Sequence, residues 1–308
     1  MVDDNKFNEL FGDEAHRLLE YVTNKCRGGK SNQKGGSYEG FFAVYQIALA
    51  YPLVKQELRE VFIETQVDKA FVDDLMVEDR TQNQVKNFQL KNCDSNLTWN
   101  HSKNTNSYYL WEDFFWQNRI NTELFKTSNI VLVLSSKTNF INREKTIPKE
   151  IQPFTEVCLF RSAKNLRELL KIEPSFRDAI SEICVAPSSD GIRLETATNQ
   201  ILAVWLSQSG KVSIAEIMQQ VLINAKNPTY IRTFDTEDIE MDREAHEILE
   251  GIGIIVKIAG GYLDLQYPDG MFSGKFRHPL GSDGFKKFEK WIKDKKPLSW
   301  DEIEVVVT

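Results

Sequence analysis

Cysteine and histidine are scarce in this chain, and neither occurs in a metal-binding pattern. Four of the 308 residues are cysteine and four are histidine. No two cysteines form a CxxC pair, which argues against a zinc ribbon and against a disulfide framework. No histidines form an HExxH or HxxxH pair, so a histidine-based zinc site is not expected either.

Long apolar runs are also missing. No stretch reaches the roughly 18 apolar residues that a membrane helix needs, and the N-terminal residues lack the basic-then-apolar pattern of a secretory signal. The sequence therefore predicts a cytoplasmic, soluble protein. Apolar residues make up 41% and charged residues 27% of the chain, an ordinary globular composition. At roughly 150 residues per domain, the length predicts two domains.

The chain has no excess of positive charge. It carries 38 Lys and Arg against 45 Asp and Glu, a net charge of −7, and acidic residues outnumber basic ones both in residues 1–190 and in residues 191–308. Neither half is therefore a basic nucleic-acid-binding domain, and any contact with DNA must be local.

The first 187 residues predict an α/β domain with a mixed sheet flanked by helices. Four glycines between Cys26 and Ser37 predict a flexible loop. Apolar periodicity and β-branched runs predict helices over 13–25, 38–50, 106–127, 164–171 and 174–183, and strands over 61–67, 75–77, 85–91 and 130–134.

Residues 187–191 (PSSDG) form the strongest boundary signal, so we expect domains at 1–187 and 192–308. Three helical patterns and a hairpin around Gly260-Gly261 then indicate a winged-helix-like domain, followed by a Lys-rich tail. The third helical pattern, 236–251, is strongly acidic and would be repelled by phosphate. The second domain is therefore expected to bind protein. The helical patterns cover 195–208, 213–225 and 236–251, the hairpin strands 254–258 and 262–267, and the tail helix 283–296.

Polar side chains occur within or directly before three strand patterns that follow one another in the sequence. Gln89 and Lys91 share one face of their strand, Asp74 stands at the start of another, and Glu64 lies within a third. If these strands are neighbours, two carboxylates, an amide and an ammonium converge at one edge of the sheet. Such a set suits Mg²⁺, which prefers oxygen ligands and keeps several waters.

This constellation predicts metal-assisted hydrolysis of a phosphodiester. Asp74 and Glu64 would supply anionic ligands, and the backbone carbonyl of Leu90 a further oxygen. Mg²⁺, with Mn²⁺ as a substitute, would generate the nucleophile and stabilise the leaving oxygen. Lys91 would orient the attacking water and offset the charge of the transition state, a role we favour over base catalysis because surrounding carboxylates keep a lysine charged.

The same residues resemble the E…D…QxK form of the PD-(D/E)xK nuclease superfamily. The wider pattern resembles one branch of it, the double-stranded-DNA nuclease domain of bacterial anti-phage effectors, as in CBASS effector nucleases and the nuclease subunit of Lamassu-type systems. The resemblance covers about residues 30–135 and is carried by Gly35–Glu39, Phe62–Glu64, Val72–Val77 and Phe88–Lys91.

This resemblance implies a restriction-endonuclease-like α/β fold for residues 1–187. It also implies divalent-metal cleavage of duplex DNA, held in check until a sensor or an SMC-like ATPase partner responds. It places Asp74, Gln89 and Lys91 at the three core positions and Glu64 as a further carboxylate, with Glu39 and Asp73 as additional candidates. Gln89 departs from the pattern, since many members of the superfamily carry an acid there. An amide binds Mg²⁺ more weakly, so the number of ligands is open.

Each candidate also has a purely structural interpretation. Gln89 and Lys91 can form the solvated face of an edge strand, and Asp73-Asp74 on their own are better explained as a turn or a helix cap. Glu39 is better explained as an ordinary acid in the first turn of a helix. Only the joint pattern favours a metal site.

Three basic residues are candidates for local DNA contact. Arg27, Lys30 and Lys34 lie in the glycine-rich segment, where flexible basic loops can bind phosphates without sequence preference. A plain exposed loop is the stronger interpretation of this segment. A phosphate-binding loop of the nucleotide type is rejected, because the earlier glycine it requires is replaced by Asn24.

The sequence thus predicts a Mg²⁺-dependent DNA endonuclease that acts as the effector subunit of an anti-phage defence complex. Its expected partners are duplex DNA, the proteins of that complex and, as a further option, other copies of itself. The alternatives are a catalytically inactive nuclease-like scaffold or winged-helix adaptor and, less favoured, a transcription factor.

Overall fold

A computed structural model describes most of the chain, and the described residues fall into two compact units. The larger unit comprises residues 1–179 and 198–221, and the smaller one comprises 180–197 and 222–308. The sequence-based division at 187–192 stays a prediction. The structure describes residues 3–32, 37–93, 97–100, 109–184, 191–224, 230–231, 241–259, 262–266, 273–276, 278 and 283–307.

A six-stranded mixed sheet forms the centre of the larger unit, which confirms the predicted α/β class. Its strand order is β5-β4-β3-β2-β1-β6. The pairs β6–β1, β1–β2 and β2–β3 are antiparallel, whereas β3–β4 and β4–β5 are parallel. The strands are β1 (Val61–Thr65), β2 (Leu75–Asp79), β3 (Gln84–Lys91), β4 (Thr127–Leu134), β5 (Thr155–Leu159) and β6 (Val212–Ser213).

Helices cover both faces of this sheet. The helices of this part of the chain are α1 (Asp4–Phe11), α2 (Ala15–Asn32), α3 (Ser37–Gln56), α4 (Leu110–Leu124), α5 (Lys137–Lys145), α6 (Leu166–Ile172), α7 (Pro174–Ile183), α8 (Gly191–Ser207) and α9 (Ile214–Asn224). Helix α8 continues across the two units, since its residues from Thr198 onward belong to the larger one.

Two neighbouring residues of β3 show which helices lie on opposite faces. Phe88 packs against Phe42 of α3 with ring centroids 5.2 Å apart. The preceding residue, Asn87, is hydrogen-bonded to Asn121 of α4. Because side chains alternate along a strand, α3 and α4 cover opposite faces. Helix α3 is apolar almost all round, as expected of a helix buried between the sheet and other helices.

The sequence analysis missed several elements of the larger unit. Residues 26–32, expected in a flexible loop, continue helix α2 to Asn32, so this part of the loop prediction is wrong. Strands β5 and β6 and helix α5 were not predicted. Strand β6 has only two residues and adds to the sheet through its pairing with Phe62 and Ile63 of β1, so local pattern carries little signal for it.

The smaller unit contains a three-stranded antiparallel sheet in the order β7-β8-β9. Its predicted hairpin is confirmed by the pairing of Ile255 with Gln266 and of Ala259 with Tyr262. The helix predicted over 236–251 is described only from Arg243, and residues 232–240 lie outside the described residues. The elements are α10 (Arg243–Gly251), β7 (Ile255–Ala259), β8 (Tyr262–Gln266), β9 (Ser273–Lys275), α11 (Asp283–Lys295) and α12 (Trp300–Val307).

This unit has its own apolar core. Leu249 of α10, Leu263 and Leu265 of β8 and Ile292 of α11 are fully buried within it. Aromatic rings close it, with Phe276 stacked on Phe288 at 4.1 Å between ring centroids. None of the described helices is both long and apolar enough to span a bilayer.

Candidate active site

The candidate site lies where β2 begins, and the connection from β1 sets its position. Thr65, the last residue of β1, donates a hydrogen bond from Oγ1 to the carbonyl of Asp74 at 2.8 Å. Val67 N donates to the carbonyl of Asp73 at 3.0 Å. These two bonds bring the ends of the connection together and place both aspartates directly before Leu75, the first residue of β2.

A row of buried polar side chains on α4 holds the same connection from one face of the sheet. Gln117 Oε1 accepts hydrogen bonds from Phe71 N at 2.8 Å and Val72 N at 3.2 Å. Its Nε2 donates to Asn121 Oδ1 at 2.9 Å, and Asn121 Nδ2 donates to Asn87 Oδ1 at 2.9 Å. Because buried polar groups are costly unless they are paired, this chain specifies one position for the segment that leads into β2.

Asp74 is bound from β3 through a single carboxylate oxygen. Its Oδ2 accepts a hydrogen bond from Leu90 N at 2.7 Å and another from Gln89 Nε2. Among the described residues, no hydrogen-bond donor contacts Oδ1. The structure thus brings Asp74, Gln89 and Leu90 together, as the strand alternation predicts, and leaves one carboxylate oxygen of Asp74 available to a further ligand.

The main chain of Leu90 adds an oxygen to this group. Within a strand, a residue directs its N–H and its carbonyl to the same side. Since Leu90 N faces Asp74, the Leu90 carbonyl also points toward the start of β2. A cavity of about 20 Å³, enough for roughly one water molecule, lies here and is lined by Glu39, Gly40, Ala43, Thr65, Asp74, Leu75, Leu90, Trp205 and Leu206.

Glu39 is the second carboxylate of this cavity. It lies in the first turn of α3. Burial raises the pKa of its carboxyl group, and the negative charge of Asp74 raises it further, while the positive charge of Lys91 opposes both effects. Glu39, Asp74 and Lys91 therefore lie within electrostatic reach of one another, and a cation would stabilise the charged form of Glu39 beside Asp74.

Asp73 lies beside a lysine of α2. Its Oδ1 lies 3.7 Å from Lys25 Nζ and finds no hydrogen-bond partner among the described residues. Burial raises the pKa of Asp73 to about 6, since the lowering effect of Lys25 does not outweigh burial and the nearby charge of Asp74. Asp73 is therefore bound into an ion pair, and it is a weaker metal ligand than Asp74.

The sequence analysis did not identify Lys25, Asp113 and Tyr21, which surround Gln89 and Asp73. Lys25 Nζ lies 2.8 Å from Asp113 Oδ2 and 3.3 Å from Gln89 Oε1. Tyr21 OH donates to Asp113 Oδ1 at 3.0 Å. Burial alone would lower the pKa of Lys25, but the carboxylates of Asp113 and Asp73 outweigh this effect and raise it. Lys25 therefore stays charged in its half-buried position.

The helical periodicity of the sequence could have identified these buried polar residues. Lys25 follows Val22 by three residues on the apolar stripe of α2, where a leucine would be expected. Asp113, Gln117 and Asn121 recur every four residues among the buried positions of α4. A charged or amide residue repeated on a buried helix face indicates a hydrogen-bond network.

Glu64 is buried, but the structure does not join it to the other candidates. Its Oε2 has no hydrogen-bond partner among the described residues. Burial raises the pKa of Glu64, and the charge with the largest opposing effect is that of Lys211. Met76 lies opposite Glu64 in the ladder between β1 and β2. Its role as a metal ligand stays a prediction, and Glu39 is the carboxylate that lines the cavity with Asp74.

The basic DNA-contact candidates are placed only in part. Arg27 and Lys30 lie in the last turns of α2, and their side chains are outside the described part of the structure. Lys34 falls in residues 33–36, also outside the described residues. Their proposed contact with phosphate stays a prediction.

The donor set of the cavity suits Mg²⁺ better than a transition metal. Within the described ranges, no group of three or more His, Cys, Asp or Glu side chains is close enough to hold a metal. Mg²⁺ does not need such a group, because it binds through one or two carboxylates and keeps several waters. Glu39, Asp74 and the Leu90 carbonyl provide this number of oxygens. Gln89 does not add to them, because its amide oxygen faces Lys25.

No protein-family model, curated protein or solved structure matches this chain.

Proposed function

We propose that this protein is a metal-dependent endonuclease for duplex DNA. The observation that carries the proposal is the convergence of Glu39, Asp74 and Leu90 on one small cavity, within electrostatic reach of Lys91. Two carboxylates beside a lysine at the edge of a sheet are suited to metal-assisted hydrolysis of a phosphodiester. The choice of duplex DNA as substrate is supported by the resemblance of the motifs to the PD-(D/E)xK nucleases.

Each residue of the site has a distinct role in this proposal. Asp74, Glu39 and the Leu90 carbonyl would hold Mg²⁺, with Mn²⁺ as a substitute. Gln89 holds Asp74 through a hydrogen bond to Oδ2. Lys91 orients the attacking water and offsets the charge that builds up on the phosphate oxygens. When bound, the metal would supply Lewis-acid activation of the phosphate and would lower the pKa of a water molecule.

The first test is the substitution Lys91→Ala. Removing a positioned charge that acts on the transition state typically costs about 10²–10³ in rate. We expect a loss of this size in Mg²⁺-dependent cleavage of plasmid DNA, with an unchanged circular dichroism spectrum. Since the chain is proposed to await activation, the assay includes the partner proteins and runs in parallel with Mn²⁺ binding by isothermal titration calorimetry, which needs no activation.

Lys86→Ala is the matched control for this experiment. Lys86 lies on the same strand, but it is exposed and on the opposite face. We expect it to cleave DNA at the wild-type rate. Wild-type cleavage by Lys91→Ala would show that the assignment is wrong, and a chain that neither binds Mn²⁺ nor cuts DNA with its partners would show that there is no such site.

The proposal extends to the biological setting. On the resemblance alone, the chain would be the effector subunit of a bacterial anti-phage complex, controlled by a sensor or an ATPase. The smaller unit would be a winged-helix-like domain that binds protein. The exposed acidic surface of α10 supports protein binding, because Glu244, Glu247 and Glu250 would repel DNA. The winged-helix-like part rests on the sequence pattern alone, because residues 198–207 of α8 and 214–221 of α9 belong to the larger unit.

One observation favours a second candidate, an inactive nuclease-like scaffold. Lys25 already pairs with both Asp73 and Asp113 without a metal. A scaffold would need no cation at Asp74, and the calorimetric titration separates the two candidates. Saturable Mn²⁺ binding that is lost in Asp74→Asn supports the nuclease, whereas the absence of binding supports the scaffold.

A further inference from the structure

A chain of hydrogen bonds runs from the interior of the larger unit to the proposed metal ligand. Tyr21 OH donates to Asp113 Oδ1 at 3.0 Å, and Lys25 Nζ donates to Asp113 Oδ2 at 2.8 Å. Lys25 Nζ also donates to Gln89 Oε1 at 3.3 Å. Gln89 Nε2 then donates to Asp74 Oδ2. We call these five residues the Lys25 relay.

The charges at the two ends of Gln89 determine how its carboxamide is oriented. An amide has an acceptor oxygen and a donor nitrogen of similar shape, so its orientation follows from its partners. The lysine at one end can only donate, and the carboxylate at the other end can only accept. The reversed orientation would place an oxygen against Asp74 and an NH₂ group against Lys25, and both contacts would be repulsive.

The orientation of Gln89 has a consequence for Asp74. Gln89 Nε2 and Leu90 N both donate to Oδ2 and hold this one oxygen with two hydrogen bonds. Oδ1 is then the oxygen that can face the cavity. Without Lys25, the Gln89 amide could rotate or reverse, and the carboxylate would lose one of the two donors that align it.

The stability of the fold does not by itself explain why position 25 carries a charged side chain. Lys25 is 20% exposed and Asp113 is 7% exposed. Replacing such a buried ion pair with apolar residues of similar volume is often neutral or stabilising. A leucine on the apolar stripe of α2 would suit the fold, so the buried pair is better explained by the groups that it orients.

We propose that Lys25 is a positioning residue of the metal site and acts through Gln89 on Asp74. The inference rests on the proposed function, and it adds a residue outside the E…D…QxK pattern. Residues behind a metal ligand typically contribute about 10–100-fold to metal affinity. Lys25 also pairs with Asp73 and donates to the carbonyl of Phe71, so the experiment has to separate the path through Gln89 from these contacts.

The experiment is a double-substitution cycle read by Mn²⁺ affinity in calorimetry. Lys25→Met keeps the length of the side chain and removes its charge, and we expect it to weaken Mn²⁺ binding about 10–100-fold. In a Gln89→Leu background, the same substitution should change the affinity by less than about twofold, because the link to Asp74 is already absent.

Two further variants test whether a change in Mn²⁺ affinity comes from an effect on folding. Lys25→Met with Asp113→Asn removes both members of the closest buried pair, so that only Asp73 loses an ionic partner, and should weaken Mn²⁺ binding as much as Lys25→Met alone. Arg59→Met is the matched control. Arg59 is 18% exposed and pairs with Asp79 at the far end of β2, so its loss should leave Mn²⁺ affinity unchanged.

The outcomes distinguish this inference from the proposed function. Wild-type Mn²⁺ affinity in both Lys25 variants, with clear binding by the wild type, overturns the relay and leaves the nuclease proposal standing. Equal losses from Lys25→Met in the wild-type and Gln89→Leu backgrounds show that Lys25 does not act through Gln89. A wild-type chain that binds no Mn²⁺ overturns the metal site and the relay with it.

Discussion

At the scale of single residues, the buried contact between Lys25 and Asp113 is a point where one substitution should lower stability. Burial raises the pKa of Asp113, and the charge and hydrogen bond of Lys25 oppose that rise. The Asp113→Asn substitution leaves the Lys25 cation half-buried with only Asp73 to offset it. Because breaking one side of a buried pair typically costs 3–5 kcal/mol, we expect a loss of about 3 kcal/mol in the free energy of unfolding, measured in urea at pH 7.

A surface ion pair provides the comparison. Asp178 lies 3.4 Å from Arg177, and its side chain is 71% exposed. Exposed pairs contribute little, so Asp178→Asn should change the free energy of unfolding by less than about 0.5 kcal/mol. If the two asparagine variants unfold at the same urea concentration, the buried pair is not a determinant of stability.

At the scale of secondary-structure elements, strand β2 ends in a charged cluster with a predictable pH dependence. Glu78 is 7% exposed and lies between Lys211 and Arg80, whose Nε is 3.0 Å away. Burial by itself would raise the pKa of Glu78, but the hydrogen bonds from Lys211 and Arg80 outweigh burial and lower it.

Because its pKa is lowered, Glu78 stabilises the fold at neutral pH and loses this effect in acid. A carboxyl group whose folded pKa lies below its unfolded value stabilises the fold above the unfolded pKa, and this contribution is lost as the pH falls through the folded pKa. The Glu78→Gln substitution should therefore cost about 2 kcal/mol at pH 7. The difference from the wild type should shrink as the pH falls below 4.5, the ordinary value for this group.

Urea unfolding at a series of pH values between 3 and 7, in steps of about half a unit, measures this difference directly. Lys86→Met is a suitable comparison, because Lys86 is exposed on the adjacent strand and should show no such pH trend. If Glu78→Gln lowers the free energy of unfolding by the same amount across this range, the lowered pKa of Glu78 is not the cause of its stabilising effect.

At the scale of the whole molecule, the larger unit is completed by residues from beyond the middle of the chain. Residues 198–221 belong to it, and β6 pairs with Phe62 and Ile63 of β1. Helix α8 also packs closely on α3, since a Cβ atom on Gly40 would lie 3.1 Å from Leu202 Cδ1. The sheet and its helical cover thus depend on a segment after the predicted boundary at 187–192.

We therefore expect a chain that ends at residue 187 to be much less stable than one that ends at residue 224. The shorter chain leaves the edge of β1 unpaired and uncovers the apolar surface beneath Trp205, which is 6% exposed, and exposed strand edges promote aggregation. The measurement is thermal unfolding together with size-exclusion chromatography. A chain ending at 187 that is monomeric and melts at the same temperature as the longer one would contradict this expectation.

Much of the candidate site follows from sequence pattern because strand alternation is a local property. The placement of Gln89 and Lys91 on one face, and of Asp74 at a strand start, needs only the period of two along β3 and the turn after β1. The tertiary structure decided which second carboxylate lines the cavity with Asp74. Glu39 is 25 residues from Glu64 in the chain, and no local pattern shows that a helix on one face brings Glu39, rather than Glu64, to the cavity with Asp74.

The sequence by itself determined the α/β class, most helices and strands of the larger unit, and the residue types that can bind a cation. It did so because apolar periodicity and turn residues act over a few positions. Only the tertiary structure decided that Lys25 and Asp113, 88 residues apart, meet behind Gln89 and that β6 joins β1. The reason is physical: such contacts form when distant elements bury their apolar surfaces together, and that packing depends on the whole chain.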